Sequence, residues 1–206
     1  MATVNSAETT SLRAASRALA RQRVLDAALE LAGSTGWNAV RMVDIANRAG
    51  VSRRTVFNEF GSKAGVLEAM SWHNTSRYLD GTTALLEQHN DDPVAAVTAV
   101  AEFVLRTIAE DPLATVILNA DPETPDEMLL MVTTQSGPFV EAATLLGLAY
   151  ADQHWSHLIS ADIDLRFFVN SLVRLLFSHM IQPVEPPELT ARSLGQLARL
   201  ALADPP

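Results

Sequence analysis

The sequence predicts an all-α protein in which an N-terminal three-helix head containing a helix-turn-helix precedes a larger helical body. Three observations predict it. Apolar residues recur at spacings of three and four along most of the 206 residues, the period of one helix face. No alternating apolar and polar run of convincing strand length occurs. Helix stops and starts are spelled out along the chain, at Gly36, Ala49-Gly50-Val51-Ser52, Gly61-Ser62, Asp92-Pro93 and Asp111-Pro112.

The elements follow in order. Residues 1–12 are small and polar and read as a disordered arm. A helix is expected from about Arg13 to Thr35, with Val24, Ala28 and Leu31 on one stripe, Leu25 and Ala32 widening it, and Gly36 as its end. Residues 40–60 then read as two short helices. Asp44 opens the first, with Ile45, Ala46 and Ala49 apolar. Gly50 suits a left-handed C-cap, Val51 plugs the angle, and Ser52 caps the second helix. That helix has Val56, Phe57 and Phe60 on an apolar side and Arg53, Arg54, Thr55, Asn58 and Glu59 left polar. It is shaped to enter a DNA major groove by its N-terminal end.

Ser62 caps a long helix over 62–89 that links head to body. Asp92-Pro93 opens the next helix, which runs to about Glu110 and stops at Asp111-Pro112. A short helix covers 113–119. Thr124-Pro125-Asp126-Glu127 is a capping box, and helix continues from there to about Trp155 with a break at Gly137-Pro138. Residues 161–181 form a helix apolar on nearly every side, which must be fully buried or shared with another chain. Pro183, Pro186 and Pro187 stiffen the connection to a last helix over 187–203.

Composition bounds the function. Hydrophobic residues make up 48% of the chain, enough for a sizeable core, and the chain contains no cysteine. No run of eighteen apolar residues and no apolar segment near the start occur, so neither a membrane span nor a secretory signal is expected, and a cytoplasmic protein is. Residues 1–63 carry nine Arg or Lys against five Asp or Glu, and residues 64–206 six against nineteen, so a head of +4 sits on a body of −13 within the total of −9. That split fits phosphate binding by the head alone. With no cysteine, no Gly-rich phosphate loop and no convincing Ser-His-Asp spacing, no enzyme and no cofactor are expected. His154 and His157 share a helix face, but Trp155 between them points to a packed helix end rather than a metal site. The Met and aromatic residues of the middle, among them Trp72, Phe103, Met128, Met131, Phe139 and Trp155, read as core.

Residues 17–70 resemble the DNA-binding domain of the TetR family of bacterial transcriptional repressors. The residues that carry the resemblance are Gly36-Trp37 with Ala39, Asp44-Ile45-Ala46, Ala49-Gly50-Val51-Ser52, Thr55-Val56-Phe57, Phe60, and Ser62-Lys63 followed by Leu67. The rest agrees in length and helical character. The resemblance implies a helical ligand-binding and dimerisation domain after the head, with domains at about 13–61 and 62–206. It implies contact with a double-stranded DNA operator by Arg41, Ser52, Arg53, Arg54, Thr55, Phe57, Asn58 and Lys63. Either of Arg53 and Arg54 can pair with guanine through two hydrogen bonds, and Thr55 and Lys63 match phosphate-contacting positions.

Three positions depart from the family pattern. Phe57 stands where Tyr is usual and cannot offer a hydroxyl to phosphate. Glu59 stands where His is frequent, and would repel phosphate or accept from a cytosine amino group. Arg41 stands at a cap position usually held by Thr or Ser.

The resemblance further implies a homodimer whose last two helices pack across a two-fold axis, through Phe167, Phe168, Leu172, Leu175, Leu176, Leu194 and Leu197. It implies a ligand pocket in the body, to which Trp72, Phe103, Met128 and Met131 are assigned. Between residues 64 and 182 the basic residues are Arg77, Arg106, Arg166 and Arg174, too few to neutralise a buried multiple anion. The expected effector is therefore small and apolar, neutral or cationic, with Glu102 or Glu141 as counter-charge, and not an acyl-coenzyme A. The expectation is a ligand-responsive transcriptional repressor on a palindromic operator. The rival reading is an architectural DNA-binding protein without an effector.

Overall fold

The computed structural model describes residues 3–118, 127–133 and 135–202, without the side chains of 3–13, 74, 76, 77, 118, 129, 131 and 132. Among these residues the chain is helical throughout: α1 (Thr3–Thr35), a 3-10 turn (Trp37–Ala39), α2 (Met42–Ala49), α3 (Arg53–Phe60), α4 (Lys63–Gln88), α5 (Pro93–Ala109), α6 (Pro112–Leu118), α7 (Glu127–Thr133), α8 (Gly137–Trp155), α9 (Leu165–Ile181) and α10 (Pro187–Arg199).

The chain divides into two units. The first holds residues 1–73 and 119–128, the second residues 74–118 and 129–206. The division falls inside α4, whereas the sequence reading placed it before that helix, at 61/62.

Local chemistry explains most boundaries. Gly36 takes φ 75 and ends α1. Gly50 takes φ 66 and ψ 34, the left-handed C-cap of α2. The Val51 amide then reaches back to the Ala46 carbonyl at 3.0 Å, closing the hinge. The Asp92 carboxylate accepts from the amides of Val94 and Ala95, both at 3.0 Å, with Pro93 at the first helical position of α5. Ser62 accepts from the Gly65 amide at 3.1 Å and opens α4.

Three boundaries differ from the sequence reading. α1 starts at Thr3, on the stretch expected to be a disordered arm. Residues 3–32 contain no Gly or Pro and many Ala, so nothing there interrupts a helix already nucleated downstream. α9 starts at Leu165 because the Asp164 carboxylate accepts from the Phe167 amide at 3.0 Å. α10 ends at Arg199, and Leu202 instead pairs with Ile159 in an isolated antiparallel bridge. Thr124 and the rest of the expected cap at 124–126 lie outside the described residues. The Glu127 carboxylate accepts from the Trp37 indole N–H at 3.1 Å.

In the second unit α5 and α10 pack closely. Gly195 makes this possible, since a Cβ there would lie 2.0 Å from the Thr98 hydroxyl. Ala101, Ala191 and Leu194 form a buried cluster joined by Val97, Leu172 and Leu176. A second cluster, Leu86, Ala96, Ala151 and Trp155, is joined by Tyr150, Ile159 and Leu165 among others. Tyr150 donates to the Leu86 carbonyl at 2.7 Å, and its ring stacks on His154 at 4.3 Å.

Candidate nucleic-acid interface

The candidate interface is built on α3. Its start is fixed by Ser52, whose hydroxyl accepts from the Thr55 amide at 3.0 Å and shares a hydrogen bond with the Thr55 hydroxyl at 2.7 Å. Val56 is the helix's buried residue. It turns one side into the first unit and leaves Arg53, Arg54, Thr55, Phe57 and Asn58 exposed on the other.

The two arginines differ. The Arg53 guanidinium lies over the Phe57 ring, 5.2 Å from its centre, one turn along the helix. Arg54 is exposed and has no ion pair or ring contact among the described residues. Phe57, 39% exposed, thus acts as a rest for Arg53. Arg41 occupies the N-cap of α2 without a side-chain cap hydrogen bond and stays exposed.

Two residues singled out in the sequence have partners within the chain. The resemblance assigns Lys63 to phosphate. Its ammonium here donates to the carbonyls of Trp37 at 2.7 Å and Asn38 at 3.3 Å, and lies 4.9 Å from the centre of the Trp37 ring. The lone lysine braces the 3-10 turn: the Trp37 carbonyl, which already accepts from the Val40 amide at 3.0 Å, takes the ammonium as a second donor. Glu59, for which the sequence left repulsion of phosphate or acceptance from a cytosine open, has partners within the chain. Its carboxylate is held by Arg17 at 2.7 Å and by Arg21 at 3.3 Å, both on α1.

The residues assigned to a ligand pocket are distributed over both units. Trp72 lines a cleft of about 400 Å³ with Ala18, Arg21, Gln22, Leu25, Ala69 and His73 of the first unit. Met128 is 1% exposed and also belongs to the first unit. Phe103 belongs to the second, where its ring lies against Gly81 with no room for a Cβ. The Met131 side chain lies outside the described residues. Glu102 and Glu141, the expected counter-charges, are surface carboxylates paired with Arg106 at 2.9 Å and Arg166 at 2.7 Å.

The residues assigned to a dimer interface also separate. Phe167 is 72% exposed, and Leu175 and Leu197 are 41% and 38% exposed. Phe168 is half-buried. Leu194, 3% exposed, is taken up by its own chain, and Leu172 and Leu176 pack against the same cluster. α9 contains no buried residue, so the apolar helix expected to be fully buried or shared is not buried within this chain.

Comparison with known proteins accounts for both units. Residues 24–70 match the family described as bacterial regulatory proteins, tetR family, and residues 92–199 match the bacterial tetracyclin repressor, C-terminal domain. The chain is 32% identical over 184 residues to the HTH-type transcriptional regulator AlkX of Mycobacterium tuberculosis, covering 89% of this chain and 85% of the relative. Among solved structures it resembles the TetR family repressor AlkX of Dietzia sp. strain DQ12-45-1b, implicated in biodegradation of n-alkanes. That match has a TM-score of 0.67 and 25% identity, and covers 88% of this chain and 98% of the other. It also shares the fold of Thermus thermophilus FadR in complex with lauroyl-CoA, with a TM-score of 0.60 and 20% identity over 90% and 97% of the two chains. With its capped helix-turn-helix in place and both halves matched, the chain belongs to the TetR family and is a DNA-binding regulator of transcription.

Proposed function

We propose that this chain is a dimeric, ligand-responsive repressor that binds a palindromic operator in cytoplasmic DNA. The observation that carries the reading is α3, capped by Ser52 with Arg53, Arg54, Thr55 and Asn58 exposed together at its leading end. The roles of the arginines follow from their surroundings. Arg54, with no partner of its own, reads a base edge, and Arg53, steered over Phe57, holds the adjacent backbone. Arg41 adds a phosphate contact. The exposed face of α9 and α10 supplies the dimer contact through Phe167, Leu175 and Leu197. Two heads then sit about 34–36 Å apart, one helical turn of DNA.

The effector binds in the second unit and shifts operator affinity by a coupling of about 1–3 kcal/mol, or 5–150-fold. Its class is small and apolar. Glu102 and Glu141 are already paired with arginines, which favours the neutral member of the neutral-or-cationic pair. The AlkX relative's link to n-alkane biodegradation supports the same chemistry, while the lauroyl-CoA complex of FadR makes an acyl-coenzyme A the natural competitor in a test.

The test begins with a duplex selected from a random pool by the full chain. Arg54→Ala should weaken binding to it and relax preference at one symmetric pair of bases, by about 1–3 kcal/mol. Arg53→Ala should weaken selected and random duplexes about equally. A medium-chain alkane and a medium-chain alcohol should release the selected duplex and lauroyl-CoA should not. Release by lauroyl-CoA alone would overturn the effector class, and no response to any ligand with shallow sequence preference would favour an architectural protein.

A further inference from the structure

Glu59 is the one carboxylate on α3, a helix whose other polar side chains are Arg53, Arg54, Thr55 and Asn58. A negative charge there opposes phosphate, so its position calls for an account. The structure provides one in the groups that surround it. Arg17 meets one carboxylate oxygen through both its Nε and a terminal nitrogen, each at 2.7 Å. Arg21 meets the other oxygen at 3.3 Å and lies 5.0 Å above the ring of the next residue, Phe60. The Glu59 side chain is 19% exposed while that of Arg17 is 74% exposed. The carboxylate therefore points back at α1, and the arginine it holds is within reach of solvent and of any polyanion beside α3.

We infer that Glu59 is a positioning and specificity residue: it ties the C-terminal end of α3 to α1 and keeps Arg17 and Arg21 from binding phosphate without regard to sequence. The inference rests on the reading of α3 as the DNA-contacting helix. Two arginines and a carboxylate sum to one positive charge, so the cluster still tolerates DNA, but it no longer offers two loose guanidiniums. Loose guanidiniums beside a duplex add affinity on every sequence alike, and each phosphate they neutralise steepens the salt dependence. The tie has a second effect. The helix enters the groove by its N-terminal end, and its pitch there is set by where its other end is held. Losing the tie therefore raises affinity for the wrong DNA while loosening the fit to the right one.

The experiment compares full-length variants on the selected duplex and on a random-sequence duplex of equal length, across a salt series. Glu68→Gln, at an exposed site on α4, controls for the unit change in net charge. Glu59→Gln should bind random duplex more tightly than Glu68→Gln does. Its slope of log K against log salt should be steeper by about 0.9 for each phosphate gained, and its ratio of selected to random affinity should fall. Adding Arg17→Ala to Glu59→Gln should return the slope towards wild type. The exchanged pair Arg17→Glu with Glu59→Arg, which leaves net charge unchanged, should restore the ratio and covers the case in which the single variant folds poorly. Random-duplex binding of Glu59→Gln equal to that of Glu68→Gln would overturn the inference. So would a change confined to preference at one base pair, which marks a base reader. Wild-type protein that selects no duplex would instead overturn the reading of α3 beneath it.

Discussion

At the scale of single residues, charged groups have partners within the chain that sequence spacing does not show. Lys63 sits where the sequence places it, at the first position of α4, but its ammonium serves the carbonyls of Trp37 and Asn38. Lys63→Met keeps the stem beside Trp37 and removes a charged donor, a loss of about 1–2 kcal/mol for a partly exposed site. The melting temperature should fall by roughly 2–4 °C per kcal/mol for a chain of this size, and the salt slope on random duplex should not change. A slope flattened by about one unit, with unchanged melting, would return Lys63 to phosphate. The sequence could not show this choice. Lys63 and Trp37 are 26 positions apart, and which carbonyls fall beside the ammonium depends on how the 3-10 turn meets α4. Ser52 and Asp92, by contrast, were legible because a cap acts on amides only two or three residues away.

At the scale of elements, glycine separates two kinds of joint. Gly50 is needed for its backbone conformation, which its place between α2 and Ser52 announces. Gly65 is needed for space. It lies inside α4 with no unusual φ, yet a Cβ there would be 2.0 Å from the Phe60 carbonyl oxygen. Ala is the better helix former by about 1 kcal/mol in open surroundings. Gly65→Ala should nonetheless destabilise by about 1–3 kcal/mol, as overpacking does, and should lower operator affinity as the corner between α3 and α4 opens. Gly137→Ala, where nothing lies within 4 Å, is the matched control and should not lower the melting temperature. Equal melting of the two variants would count against the tight corner. Helix existence and order were readable from periodicity and stop signals. The start of α1 was not, because small polar residues permit a helix and a disordered arm alike, and only the context of the downstream helix decides.

At the scale of the whole molecule, charge and apolar surface divide the labour. The head of +4 and body of −13 were legible by counting. The proposed dimer face was legible only as a helix with too much apolar surface, since periodicity does not tell which side of α9 its own chain covers. The structure resolves that: Leu172 and Leu176 face the cluster of Leu194, and Phe167 and Leu175 face away. Phe167→Glu with Leu175→Glu should therefore leave the monomer's helicity intact while placing two unpaired charges in the interface, at about 3–5 kcal/mol each. Sedimentation should show monomers at micromolar concentration, and operator binding should fall with them. Wild-type protein sedimenting as a monomer would sink the dimer. The first unit also has a consequence for how such a protein can be taken apart. It includes Glu127 and Met128, which follow α5 and α6 in the chain. A fragment ending at His73 would lack Glu127, the acceptor for the Trp37 indole, and Met128, itself almost fully buried. Grafting this head onto a foreign body by a single splice in α4 would carry over the DNA-reading helices and leave behind part of their foundation. A transplant that keeps full stability needs a second splice, bringing Glu127 and Met128 along.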